Sequence, residues 1–177
     1  MVSVIDQEPE WYVDALTTTP VILHGKVGID YRLIRRATSS ANVMIRSLVY
    51  HVGAGTVDYT GAHAAVTGIV PDTPFNRRQI EKNNNADWTY VLKFGSGDVI
   101  EIAVPINNIM VSAVWAASSG TIDHNTGLEA AAAGQVGLAG TSGRVIGKAL
   151  TKVSDGTTDR VIAMVLYASA VTPQLVV

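Results

Sequence analysis

From Val21 onward the chain is a series of short apolar runs stopped by glycine, proline or a polar turn, and this punctuation limits what it can fold into. Val21-Ile22-Leu23 precedes Gly25. Val27, Ile29, Tyr31 and Leu33 then alternate with Gly28, Asp30, Arg32 and Ile34, a period of two that predicts a strand. Val43 to Val52 is rich in β-branched residues and apolar on both faces, as a buried strand would be, and Gly53-Ala54-Gly55 ends it. Trp88, Tyr90, Leu92 and Phe94 alternate with Thr89, Val91 and Lys93. A turn follows at Gly95-Ser96-Gly97-Asp98, and Ile100, Ile102 and Val104 alternate with Val99, Glu101 and Ala103. Together these predict a β-hairpin, terminated by Pro105. Ile109 to Ala116, Val145 to Leu150 and Arg160 to Tyr167 read as further strands, the last with both faces apolar.

Helix signals are few. After Pro71-Asp72-Thr73-Pro74, residues Phe75 to Asn85 have room for one short helix, which Asn83-Asn84-Asn85 would end. Leu128 to Ala133 is alanine-rich and followed by Gly134, which predicts one helical turn or two. The expected fold is therefore mostly β: a compact sandwich or barrel body of short antiparallel strands, with one or two short helices. Residues 1–20 read as an N-terminal arm and 21–177 as the body. The arm is polar and acidic and closes on Thr17-Thr18-Thr19-Pro20, where proline forbids helix continuation.

Composition narrows the function. Charged residues are 16% of the chain against a typical ~25%, while 47% are hydrophobic and the net charge is only −2. Such a chain folds rather than staying disordered, and its low charge predicts that part of its apolar surface is covered by a partner. Only Arg32, Arg35 and Arg36, and the pair Arg77–Arg78, cluster among the 13 basic residues, so a nucleic-acid partner is not expected. The chain has no cysteine, which removes disulfides, thiol catalysis and cysteine-zinc sites. Asp6, Glu8 and Glu10 interrupt the N-terminus, so it does not read as a signal peptide. The longest apolar stretch, Val161 to Val171, is broken by Ser169 and falls far short of the ~20 residues that cross a bilayer. A soluble protein without a membrane partner is expected.

Three arrangements invite a catalytic or ligand-binding reading, and each fails on spacing. Gly140-Thr141-Ser142-Gly143 with His51 and Asp58 offers a His…Asp…Ser order, but a nucleophile elbow needs G-x-S-x-G before a helix, and position 144 is Arg ahead of a strand. Gly137, Gly140, Gly143 and Gly147 precede Lys148, yet Ser142 stands where a phosphate loop needs glycine and Ala149 where it needs a hydroxyl. His24, His51, His63 and His124 lie far apart, with no paired metal-ligand spacing. No enzyme activity, metal or cofactor is expected. The pair Trp11–Tyr12 is different: large aromatics outside the first strand either tuck onto the chain's own core or anchor into a partner.

The C-terminal part resembles a known family. Gly97-Asp98-Val99-Ile100, then Val111 to Ala116 into Ser118-Ser119-Gly120-Thr121-Ile122, then Gly143-Arg144-Val145-Ile146-Gly147-Lys148-Ala149-Leu150, then Asp155-Gly156 and Arg160 to Leu166 follow the order seen in the head decoration, or capsid cement, proteins of tailed bacteriophages. The resemblance spans residues 95–167 and rests on small and aliphatic positions. It implies a β-rich, non-enzymatic protein that sits as a homotrimer on the outer surface of an assembled head and binds the major capsid protein. The chain would be made in the host bacterial cytoplasm and end in the virion. Residues 21–86 would then be an added β region, and 87–177 the decoration-type β domain. The alternative is a β-rich receptor- or carbohydrate-binding module of a tail fibre or spike. Trp11 and Tyr12 are the residues expected to anchor the capsid or a neighbouring subunit.

Overall fold

The computed structural model describes residues 22–23, 26–27, 34–40, 43–62, 64–83, 93–116, 120–140, 143–153 and 161–171. The arm 1–20, Trp11 and Tyr12 included, lies outside them, as do residues 28–33, 84–92, Ser142 and the turn at 154–156. The fold is mostly β, with a closed five-stranded barrel, a five-stranded antiparallel sheet and one short α-helix among the described residues.

Two short strands come first: β1 (Ile22–Leu23) pairs antiparallel with β2 (Lys26–Val27). The barrel contains β3 (Ile34–Ser39), β4 (Leu48–Gly53), β5 (Thr56–Tyr59), β6 (Gly68–Ile69) and β7 (Val99–Ala103), in the order β3-β5-β4-β6-β7, with β7 returning to β3. Four of its contacts are antiparallel, in keeping with the expected body of short antiparallel strands, and β3 and β5 run parallel. The Gly53-Ala54-Gly55 turn joins β4 to β5 as its sequence predicts.

Val43 to Val52 is not one strand. Residues 45–46 form a turn with Arg46 at φ 68°, and only 48–53 are extended. A continuous apolar run hides this turn because the turn is buried, while in the strand itself Tyr50 and Val52 are exposed, so Val43 to Val52 is not buried on both faces. Of the hairpin predicted around Gly95–Asp98, residues 88–92 lie outside the described residues. Its turn is present, with the Gly95 N–H donating to Asp98 Oδ2 at 2.7 Å. The residues on either side take different neighbours, however: Lys93 bridges to Met44, while β7 pairs with β3.

One helix, α1 (Pro74–Asn83), follows the Pro-Asp-Thr-Pro loop. Thr73 caps it, its Oγ1 accepting the Asn76 N–H at 3.2 Å, and Pro74 occupies the first turn, where its missing N–H costs nothing. Asn76 is fully buried and completes the barrel wall. Its Oδ1 accepts the Glu101 N–H at 2.8 Å, and its Nδ2 donates to Glu101 O at 2.9 Å and Pro71 O at 2.8 Å. Strand β6 pairs with β7 only at Ala103, so this carboxamide stands where a longer strand would have met Glu101.

The sheet contains β8 (Ile109–Val114), β9 (Gly127–Ala130), β10 (Val136–Leu138), β11 (Gly147–Ala149) and β12 (Val161–Leu166), in the order β10-β9-β11-β12-β8. Leu128–Ala130 is strand rather than helix, and only Ala132–Gly134 forms a single 3-10 turn. The alanines favour a helix locally, but pairing with β10 and β11 outweighs that preference. Both edges of the sheet meet where Trp115 bridges to Val136 and the Ala116 N–H donates to Val136 O at 2.9 Å, which curls the sheet towards closure.

Barrel and sheet share one core, running from Leu48, Ile69 and Ile102 to Trp115, Leu128, Ile162 and Met164. At their seam Gly134 (φ 73°) donates its N–H to Thr60 O at 2.8 Å. A side chain there would strike Leu48 O and Ser47 Cβ, so only glycine satisfies both the backbone angle and the approach. On the opposite face of β12, Ala163 and Val165 join Met110 in a second small cluster, flanked by Leu150 and Tyr167.

Candidate functional site

Of the residues that invited a catalytic reading, His51 and Asp58 are not brought together. His51 pairs with the core residue Val57, and its Nε2 is buried without a hydrogen-bond partner. Asp58 is the next residue along β5, so it projects to the other face of the barrel wall. Its Oδ1 accepts the Tyr59 N–H at 2.8 Å. Ser142 lies outside the described residues. The glycine series leading to Lys148 falls partly in strands: Gly137 in β10, and Gly147 and Lys148 in β11. Gly147 is there because the Val165 carbonyl leaves no room for a side chain, which is a packing role.

His124 sits in an exposed turn, and His24 and His63 lie outside the described residues. Among the described residues no group of three or more histidines and carboxylates could hold a metal ion. In the same exposed turn the His124 N–H, and then Lys152 at 3.5 Å, hold the Asp123 carboxyl below its usual range.

The charged residues instead form a clasp that fixes α1 to the barrel. Asp72 receives Arg46 Nη2 at 2.6 Å and Arg77 through two bonds at 2.6 and 2.9 Å. Arg46 is only 2% exposed, which nothing in the apolar run around it foretells. Glu101 accepts Thr73 Oγ1 at 2.7 Å and pairs with Arg36 at 3.1 Å, and the Arg36 guanidinium lies 3.6 Å from the Phe75 ring centre. These groups satisfy one another and hold the fold.

Two surface features remain. The first is a scatter of exposed apolar side chains: Ile106 at 72%, then Val52, Val99, Val145, Leu138 and Tyr50. Val145 and Ala139 lie together over Gly127, and Leu138 reaches Gly120, so one apolar patch borders β9 and β10. The second is a groove of about 400 Å³ on the outer wall of the barrel, lined by Tyr50, Asp58, Tyr59, Gly61, Ala64 and Ala65. Tyr50 and Asp58 are direct partners across β4 and β5. Trp11 and Tyr12, the residues expected to anchor a partner, are outside the described set, so neither feature can be placed against them.

No protein-family model and no curated protein matches the chain. Among solved structures it is similar to the head fiber gp8.5 N base of bacteriophage phi29, a phage head-associated protein. The alignment covers 78% of this chain and 97% of that one, at 15% identity and a TM-score of 0.46. Similarity at that level is short of a shared fold, so the functional reading rests on this chain's own residues.

Proposed function

We propose that this chain is a structural, non-enzymatic decoration or cement protein that binds the outer surface of an assembled phage head as a homotrimer and stabilises it. The ordered run from Gly97 to Leu166 that resembles the decoration family carries this reading. The exposed apolar side chains on a chain with 16% charged residues support it, since a partner surface would cover them. A protein that binds only the finished shell stabilises that state by mass action, and three linked copies add their contacts through effective concentration. Neither effect needs a catalytic group. In this reading Trp11 and Tyr12 of the arm are the anchors on the major capsid protein or a neighbouring subunit, because large aromatics dominate interface energetics.

The test is pelleting with capsids that lack the protein. Full-length chain should co-sediment, and deletion of residues 1–19 or Trp11→Ala should weaken binding by about 2 kcal/mol per site while leaving the melting temperature unchanged. Absence of binding by the full-length chain would refute the assignment. A sharp fall in melting temperature with intact binding would move Trp11 into the core instead.

A further inference from the structure

We propose that the groove on the outer barrel wall receives an arginine side chain presented by a protein partner. It is lined by Tyr50, Asp58, Tyr59, Gly61, Ala64 and Ala65, with Tyr50 and Asp58 side by side on the outer face of the barrel wall, and no lysine or arginine is among the described lining residues. Tyr50 is 37% exposed, so its ring is available to a ligand. Asp58 spends one oxygen on the Tyr59 amide, which fixes the carboxylate in place, and its Oδ2 takes no hydrogen bond among the described residues.

This combination repels anions and attracts a cation, because aromatic faces and a carboxylate both present negative potential. A planar guanidinium meets both demands at once: it stacks on a tyrosine ring while its N–H fork reaches the carboxylate. A lysine ammonium satisfies only the charge. Gly61, Ala64 and Ala65 add little side-chain bulk to the groove, which leaves room for the methylene stem. The inference uses the reading of the chain as a partner-binding protein only to say where the arginine comes from.

The experiment titrates the full-length ¹⁵N-labelled protein with the peptide acetyl-Gly-Gly-Arg-Gly-Gly-amide and with its citrulline counterpart, which keeps the shape and removes the charge. The arginine peptide should shift the amides of Tyr50, Asp58, Tyr59 and Gly61 saturably, and the citrulline peptide should bind roughly tenfold more weakly. Asp58→Asn keeps the oxygen that accepts the Tyr59 N–H and removes the charge; it should weaken arginine binding about threefold or more, as should Tyr50→Ala. Equal binding of both peptides, no shifts at these residues, or tighter saturable shifts there with the neutral disaccharide cellobiose would overturn the proposal. The titration involves no capsid, so its failure leaves the decoration reading standing. Conversely, failure of capsid pelleting leaves the groove's chemistry standing.

Discussion

The barrel and the sheet are built from the same low-charge sequence but are held together differently. In the barrel, short strands leave gaps that polar side chains fill: Asn76 stands in for a missing strand partner, and Asp72 gathers Arg46 and Arg77. Apart from the buried Glu129 on β9, the sheet relies on apolar packing, with every residue of β12 after Val161 buried and Trp115 drawing its edges together. A polar plug is directional and fails abruptly when one partner is lost, whereas an apolar face loses stability roughly in proportion to the volume removed. Both regions nevertheless share one core.

Trp115→Ala is the most severe test. A wholly buried tryptophan replaced by alanine should cost about 4 kcal/mol, and because the core is continuous, calorimetry should still show one unfolding transition at a lower temperature. Two separate transitions, with the barrel melting at its wild-type temperature, would break the claim of a shared core. Asn76→Ala comes next. It removes three hydrogen bonds and leaves the Glu101 N–H and carbonyl without the partner they have in the barrel wall, for a loss of about 3 kcal/mol by urea denaturation. A loss below about 1 kcal/mol would mean that the plug is ornamental and that the barrel, too, rests on apolar packing.

Tyr167 gives a smaller, pH-dependent effect on the sheet side. Burial pushes its hydroxyl above the ordinary value of 10.0. A group raised in the folded state contributes stability that is intact below its unfolded pKa and lost as pH rises through the folded value. Tyr167→Phe should therefore make the alkaline decline in melting temperature above about pH 10 shallower and leave neutral stability nearly unchanged. Lys152→Ala should do least. Its pairing with Asp123 is exposed on both sides, so solvent and salt screen it. Asp123 is held below its ordinary value, so any stability the pair adds is present above about pH 4 and lost below it. The expected melting temperatures of variant and wild type coincide from pH 5 to 8, a window set by the ordinary carboxyl range.

Local chemistry explains what the sequence reveals. Gly53-Ala54-Gly55 announces a turn, the stretch from Phe75 a short helix, and the apolar run to Leu166 a strand buried on both faces, because each depends on neighbouring residues. The misreadings concern what lies far along the chain. Lys93 meets Met44 and β7 meets β3, partners that no local alternation can name. Leu128–Ala130 joins a sheet because β10 and β11 flank it, against its own alanine content. The groove was legible in principle: the turn at 53–55 folds β4 back on β5 and sets Tyr50 opposite Asp58. Its residues are hidden in the local pattern because Tyr50 sits in a run that is apolar on both faces, although Tyr50 itself is exposed.

The bridge between Val66 and Val171 has a temporal consequence. The barrel strands are complete once Ala103 has been made, and β8 can pair with β12 only after Leu166. Val66 must then wait for residue 171, so its contact closes a loop of more than half the chain, although the entropic cost of closure grows only slowly with that length. During synthesis the barrel strands can therefore all be present while the core they share with the sheet is still incomplete, and the Val66 contact is made only when residue 171 arrives.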